Sequence, residues 1–338
     1  MKKVIAILLC LVLVLSMAAC GGGAGDSEEP TAEVKTIKFA HWYAEEHPQH
    51  QAMLKFKELV EERSGGSLVV EIYPNSQLGS EDVFIDSVQA GTVEMGSCGT
   101  MSSKFLPKIA AAETPFLFSG WEAANSVFTG ELGAELVAEL PEVAGIRAVA
   151  ITVNGFRQFS SKKDMSSLAD FQGQRIRVPN VAHFIQMVES MGGTPIAMAL
   201  SELFTALEQK TVDGQENPYA TIYANSFYEV QDYVLQSNHM FSPALWIVNE
   251  EFYQGLTEEQ KEAFDSSIKE AADYNWEIAE AADTDAKQKI ADAGVTIIEP
   301  DDAFIADLQN SQAAVYDYFY ATYEGSEGWV KKVQDFLK

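Results

Sequence analysis

Apolar and polar residues alternate through "EVKTIKFAHW" (33–42), the period of a half-buried strand. The next stretch, "HQAMLKFKELVEERSGG", changes period. Met53, Phe56, Leu59 and Val60 recur at helical spacing, and Gly65-Gly66 ends the run. "SLVVEIYP" (67–74) predicts a second strand. Ser80 is placed to cap a helix over "EDVFIDSVQAG", with Val83, Phe84 and Val88 on its apolar face, and "TVEMGSCG" predicts a short strand after it. Strand and helix in regular alternation predict an α/β lobe with a largely parallel sheet.

A second unit has the same rhythm. "GIRAVAITVN" (145–154) is strand-like, and "GQRIRVP" (173–179) is a strand stopped by Pro179. "VAHFIQMVESMGG" (181–193) is a helix ended by glycines, and "TPIAM" is a short strand. Ser201 is placed to cap "ELFTALEQK", which leads into "TVDGQENP". The C-terminal region differs. Thr257 and Gln260 form a capping box, and neither Gly nor Pro occurs from there to Ala293. Phe264, Ile268, Ala271, Asn275, Ile278 and Ala282 follow helical spacing. They predict a helix about 50 Å long, enough to cross two lobes. Two shorter helices with a break near Asp283 are the alternative.

The beginning of the chain reads differently again. Lys2 and Lys3 precede an apolar run, Val4 to Leu15, too short to span a membrane comfortably. "LSMAAC" then places Cys20 after small residues and resembles the cleavage site of a lipoprotein signal peptide, residues 1–20, with Cys20 lipidated; an ordinary secretory signal with a cysteine nearby is the alternative. The following Gly- and Glu-rich stretch, residues 21–34, reads as a flexible tether. Of three cysteines, Cys10 leaves with the signal and Cys20 is the anchor, so Cys98 has no internal partner. Some 300 residues without a disulfide must rely on their core, which at that size suggests two lobes.

Charge narrows the function. With 23 Lys and Arg against 50 Asp and Glu, the net charge is −27. Nucleic acid is excluded as a partner, because phosphate needs a basic surface. A small anion would have to be held by specific arginines against the background field. Arg157 in "NGFRQ" sits by a strand end, and Arg175 and Arg177 in "RIRVPN" share one face of a strand. Arg177 is at that strand's carboxyl end, where open α/β sheets bind ligands. Ordinary surface arginines are the plainer reading.

Other candidates are thinner. His41, His47 and His50 lack a compact ligand pair on a helix, which favours a polar loop over a metal site. Asp213 and Glu216 could form an acid/base pair. No nucleophile elbow, zinc-protease motif or phosphate loop accompanies them, so neither an enzyme nor a cofactor is indicated.

Several stretches together resemble the solute-binding proteins of tripartite ATP-independent periplasmic (TRAP) transporters, the DctP family. They are "NSQLGSEDVFIDSVQAGTVEM", "NGFRQFSS", "LADFQGQRIRVPN", "MGGTPIAMALSELFTALEQKTVDGQENP" and "SFYEVQDYV…NH", in family order from about Ile37 onward. The resemblance implies two α/β lobes that close on a ligand like a Venus flytrap, with a long helix spanning both. Residues 35–154 and 243–282 would form lobe I, and 155–242 and 283–338 lobe II. It implies that Arg177 pairs bidentately with a ligand carboxylate, supported by Arg157 and Asn217. Bidentate pairing suits Arg and not Lys. "DGQENP" would be a loop turning at Gly214, with Asp213 and Glu216 orienting backbone or Arg. Trp42, Glu81 and Asn180 are further candidate ligand contacts. Phe184 and Trp246 are candidate apolar walls, core packing being the alternative. The sialic-acid branch has an acidic residue near the position of Gly99 and Phe at that of Leu200. Their absence points to a smaller acid: a C4-dicarboxylate, or a keto or hydroxy acid.

The implied protein is a monomer, anchored outside the cytoplasm by its lipid alone, that delivers its acid to the TRAP permease. An ABC-type binding lipoprotein or a ligand-presenting sensor would share most of these features. A secreted enzyme would have to work through Asp213, Glu216 or His239.

Overall fold

The computed structural model describes residues 33–338. The expected signal peptide, Cys20 and nearly all of the expected tether lie outside these residues. Among the described residues nine strands form one mixed sheet: β1 (Lys35–Ala40), β2 (Leu68–Tyr73), β3 (Met95–Cys98), β4 (Ile146–Ser161), β5 (Arg175–Val178), β6 (Thr194–Ala197), β7 (Gly214–Asn217), β8 (Tyr233–Asn249) and β9 (Thr296–Ile298). The order is β2-β1-β3-β8-β4-β7-β5-β6, with β9 against β8.

β4 runs well past the predicted 145–154, β8 has no counterpart among the predicted elements, and the two pair antiparallel along their length. The expected largely parallel sheet is therefore split. β1, β2 and β3 are mutually parallel and join one end of this ladder through β3, opposite Leu245–Val248. β5, β6 and β7 are mutually parallel and join the other end through β7, opposite Gln158–Ser161. Since β3 opposes β8 and β7 opposes β4, the two parallel sets run in opposite directions. Both sets of carboxyl ends therefore face the middle of the ladder, in the cleft between two lobes. Open α/β sheets place ligands at such ends.

Helices cover each lobe. Helix Pro48–Arg63 buries Met53, Phe56 and Val60 against Ile37, Phe39, Val70 and Trp246. Helix Ala182–Ser190 buries Phe184, Met187 and Val188 with Phe159, Ile176 and Val178. Thr257 and Gln260 form their capping box, and Glu258–Asp292 is one continuous helix of 35 residues. Its buried stripe drifts from Phe264, Ile268, Ala271 and Asn275 to Ala279, Asp283, Ala286 and Ile290, leaving Ile278 and Ala282 half-buried. The helix crosses the ladder on the way: Asn275 Oδ1 accepts from the Val153 N–H at 2.7 Å, and the Trp276 indole donates to the Ile151 carbonyl at 3.0 Å.

The last helix, Ser326–Phe336, departs from the division read off the sequence, which gave it to lobe II. Trp329, Val330 and Val333 pack with Ile109, Phe128 and Leu136, and the Trp329 indole donates to the Leu132 carbonyl at 2.9 Å. Among the described residues no helix is long and apolar enough to cross a membrane.

Candidate functional site

Residues following the parallel strands converge on one cavity of about 290 Å³. Ser76 follows β2, Trp42 follows β1 and Gly99 follows β3. From the other set come Arg177 near the end of β5, Met198 after β6 and Asn217 at the end of β7. Asn154, Arg157 and Ser242, from the middle of β4 and β8, complete the cavity between them.

Arg157 is almost fully buried and charge-compensated. Its Nε and Nη2 donate to the two Glu216 carboxylate oxygens, and Nη2 also reaches the Glu216 carbonyl at 2.8 Å and Asn217 Oδ1 at 3.2 Å. Burial works against the Arg157 charge, but the adjacent Glu216 carboxylate outweighs it and raises the guanidinium pKa. Burial likewise opposes ionisation of Glu216, and Arg157 and His239 outweigh it, lowering its pKa.

Arg177 is different. Nε and Nη2 donate to the Met198 carbonyl at 3.0 and 2.8 Å, and among the described residues no carboxylate lies within ion-pair distance. Both bonds use one edge of the guanidinium, so Nη1 and the second Nη2 hydrogen remain for another acceptor. Burial pushes its pKa down to about 10, which still leaves a cation at neutral pH. A buried cation without a counter-charge is costly, and an anion in the cavity would relieve that cost.

The neutral polar groups are also oriented. Asn217 Oδ1 accepts from Arg157 and its amide donates to Gln215 Oε1 at 2.6 Å, leaving one amide hydrogen over. The Trp42 indole N–H is buried with no acceptor among the described residues. Glu81 accepts from the Gly99 and Met101 N–H groups at 2.7 and 3.2 Å. Its carboxyl is deep enough for burial to push it up to about 7.

Of the sequence candidates, Trp42, Glu81, Arg157, Arg177, Asn180 and Asn217 line the cavity. Phe184 and Trp246 do not. Phe184 is fully buried behind Arg157, whose guanidinium carbon stands 5.1 Å from its ring centroid. Trp246 lies in the core between Phe39 and Phe56 and donates to Gln49 Oε1 at 3.0 Å. Core packing is the place of both. "DGQENP" is not a loop: Gly214–Asn217 is β7, and a side chain at Gly214 would meet the Ser160 carbonyl oxygen at 2.4 Å. Asp213 holds Arg175 through its side chain and backbone N–H, and the Arg175 bond draws the Asp213 carboxyl down to about 2. Asp213, Glu216 and His239 stand outside the cavity wall.

His41 and His47 lie in the loop between β1 and helix Pro48–Arg63, as expected, while His50 belongs to that helix's first turn, and all three are buried. His41 Nε2 and His50 Nδ1 are 3.1 Å apart, His47 caps helix Pro48–Arg63, and burial lowers the pKa of all three. No metal-binding group of His, Cys, Asp and Glu occurs among the described residues. Sequence reading passed over Asn154, Met198 and Ser242. The Asn of "NGFRQ" was the one available hint.

The model for bacterial extracellular solute-binding protein, family 7, matches residues 39–323. A Haemophilus influenzae TRAP periplasmic solute-binding protein solved with bound L-gulonate is 36% identical, with a TM-score of 0.86 over 90% of this chain and 100% of that one. The 2,3-diketo-L-gulonate-binding protein YiaO of Escherichia coli is 32% identical, the match covering 78% of this chain and 81% of YiaO. The C4-dicarboxylate-binding protein DctP of Rhodobacter capsulatus is 33% identical, over 78% of this chain and 80% of that one. Family match, fold and cavity agree, and the chain belongs to the DctP family of TRAP-transporter solute-binding proteins, extracytoplasmic proteins that bind organic acids.

Proposed function

We propose that the protein captures a small acid with one carboxylate and several hydroxyls, a sugar acid of the gulonate type, and delivers it to a TRAP permease. One observation carries the choice: among the described residues Arg177 is the cavity cation with no carboxylate beside it, while Arg157 is neutralised by Glu216. One carboxylate would saturate the free edge of Arg177. A second would find Glu81 and Asp82 in the cavity wall and no further free cation, which disfavours a C4-dicarboxylate. Trp42, Asn180 and Asn217 suit hydroxyl and carbonyl oxygens, and Glu81, neutral or ionised, suits hydroxyls. The L-gulonate found in the Haemophilus influenzae relative supports this reading.

In this account the lobes divide near the Gly155–Ser242 pair of β4 and β8 and close around the bound acid, excluding water. The protein acts as a monomer tethered by lipidated Cys20, with no catalytic step. The permease supplies ion coupling.

Native mass spectrometry of the freshly purified protein, before and after mild denaturation, tests the proposal, followed by thermal-shift assays with L-gulonate, D-galactonate, D-glucuronate and succinate. The proposal expects a released acid or a stabilising sugar acid. At about one hundred times Kd, linkage gives about 2.7 kcal/mol. No release, with no shift from any acid, would overturn it. A shift from succinate alone would replace the sugar acid by a dicarboxylate.

A further inference from the structure

We propose that Asn154 is a specificity-determining residue of this cavity. It offers an amide N–H donor to a ligand hydroxyl or carbonyl oxygen, in an orientation locked by a hydrogen-bond chain from His47 through Thr221. The inference rests on the binding-protein reading above and adds a residue to it.

The first support is the backbone. In the β4–β8 ladder Val153 faces Pro243 and Gly155 faces Ser242, so Asn154 is an extra residue, a β-bulge. On a regular strand Asn154 and Arg157, three apart, would point to opposite faces. The bulge lets both line the cavity. It is also built to persist. The Val153 N–H donates to Asn275 Oδ1, the Val153 carbonyl accepts from Gln49 Nε2 at 3.0 Å, and Gly155 takes φ +127°.

The second support is the direction of each hydrogen bond. The Gln49 backbone N–H donates to His47 Nδ1 at 3.2 Å, so Nδ1 carries no proton and Nε2 does. His47 Nε2 therefore donates to Thr221 Oγ1 at 3.2 Å. The Thr221 hydroxyl in turn donates to Asn154 Oδ1 at 3.2 Å. The Asn154 oxygen is thereby engaged, and its NH2, which has no hydrogen-bond partner among the described residues, is left for the cavity. His47 is the N-cap of helix Pro48–Arg63, Thr221 belongs to helix Tyr219–Ala224 and Asn154 to β4, so the chain is set by tertiary structure. Burial pushes His47 down to about 3, which keeps the imidazole neutral and the chain's direction unchanged at physiological pH. A freely rotating Asn would accept or donate with equal ease; this one only donates.

Calorimetric titration of the full-length protein with L-gulonate tests the assignment. Asn154→Ala and Thr221→Val are each expected to weaken binding by about three- to tenfold, the value of one hydrogen bond. Thr221 acts through Asn154, so the double variant should bind no more weakly than Asn154→Ala. Thr221→Ser, which keeps the hydroxyl, should retain the wild-type affinity. Unchanged affinity in Asn154→Ala, or additive losses in the double variant, would overturn the proposal. If the wild type binds no L-gulonate, the ligand reading has failed separately. The chain is then tested by 15N NMR of the His47 ring. A ring protonated at Nε2, with its resonance moved by Thr221→Val, supports the proposal; a ring protonated at Nδ1 refutes it.

Discussion

Replacing Glu216 by Gln keeps the side chain's size and removes its charge. Its partner Arg157 is 3% exposed and Glu216 is fully buried, so solvent offers neither group compensation. The pair is bidentate, and Arg157 also holds the Glu216 carbonyl and Asn217. A Gln amide would turn an NH2 toward guanidinium donors or leave one of them unmet. Breaking a buried pair on one side costs about 3–5 kcal/mol. Exposed pairs, by contrast, contribute about 0.2–1 kcal/mol. Urea unfolding of wild type and Glu216→Gln at pH 7 measures the difference. A companion variant, Arg157→Met with Glu216→Met, removes both charges and should recover most of the loss, since a buried pair adds little net stability over apolar residues of like volume. Glu216→Gln should also leave two unpaired guanidinium groups at the cavity, shifting preference toward succinate relative to L-gulonate. A loss below about 1 kcal/mol, the range of exposed pairs, would refute the picture of Arg157 as a buried, neutralised cation.

Two further outcomes follow from the same geometry. Burial pushes the Asp283 carboxyl up from 3.8 to about 7, so between these values the folded protein holds a proton that the unfolded chain has released. Its contribution is lost as pH rises through that window, at about 1.4 kcal/mol per unit at most; the stability of Asp283→Asn relative to wild type should climb from pH 4 to 7, and a flat difference would contradict the assignment. Gly155→Ala should destabilise the protein by about 1–3 kcal/mol, because φ is +127° and the new Cβ would meet Trp121 at 3.2 Å and Pro218 at 3.3 Å; an unchanged unfolding midpoint would mean that the bulge relaxes easily.

The chain's periodicity reveals its short elements well and its long strands poorly, for a physical reason. β1 and helix Pro48–Arg63 each bury one face, so alternation and helical spacing are visible in the sequence. The second half of β8, "FSPALWIVN", is buried on both faces and shows no alternation. Pro243 within it argues against a central strand, yet it stands opposite Val153, where the bulge interrupts the ladder. The site divides in the same way. Arg177 could be read from its place at a strand end, because the parallel topology itself sends such ends to the cleft. Asn154 could not, since alternation puts it on the face opposite Arg157 until the bulge is known. Phe184 and Trp246 show the converse: a large aromatic near the site in sequence does not say which side of the wall it occupies. For Glu216 only the family resemblance implies an orienting role, since residue type alone leaves an acid/base pair open; β7 brings it against Arg157 across the Phe159–Glu216 pairing.

The central claim is that Arg177 holds the carboxylate of the ligand. The most direct measurement is calorimetric titration of Arg177→Ala with the tightest-binding acid of the panel, beside wild type and Arg177→Lys. Leaving a buried carboxylate unpaired should cost about 2–5 kcal/mol, a weakening of roughly thirtyfold to several thousandfold. Arg177→Lys should fall between, because an ammonium keeps the charge and loses the fork. Affinity unchanged in a folded Arg177→Ala protein would contradict the account.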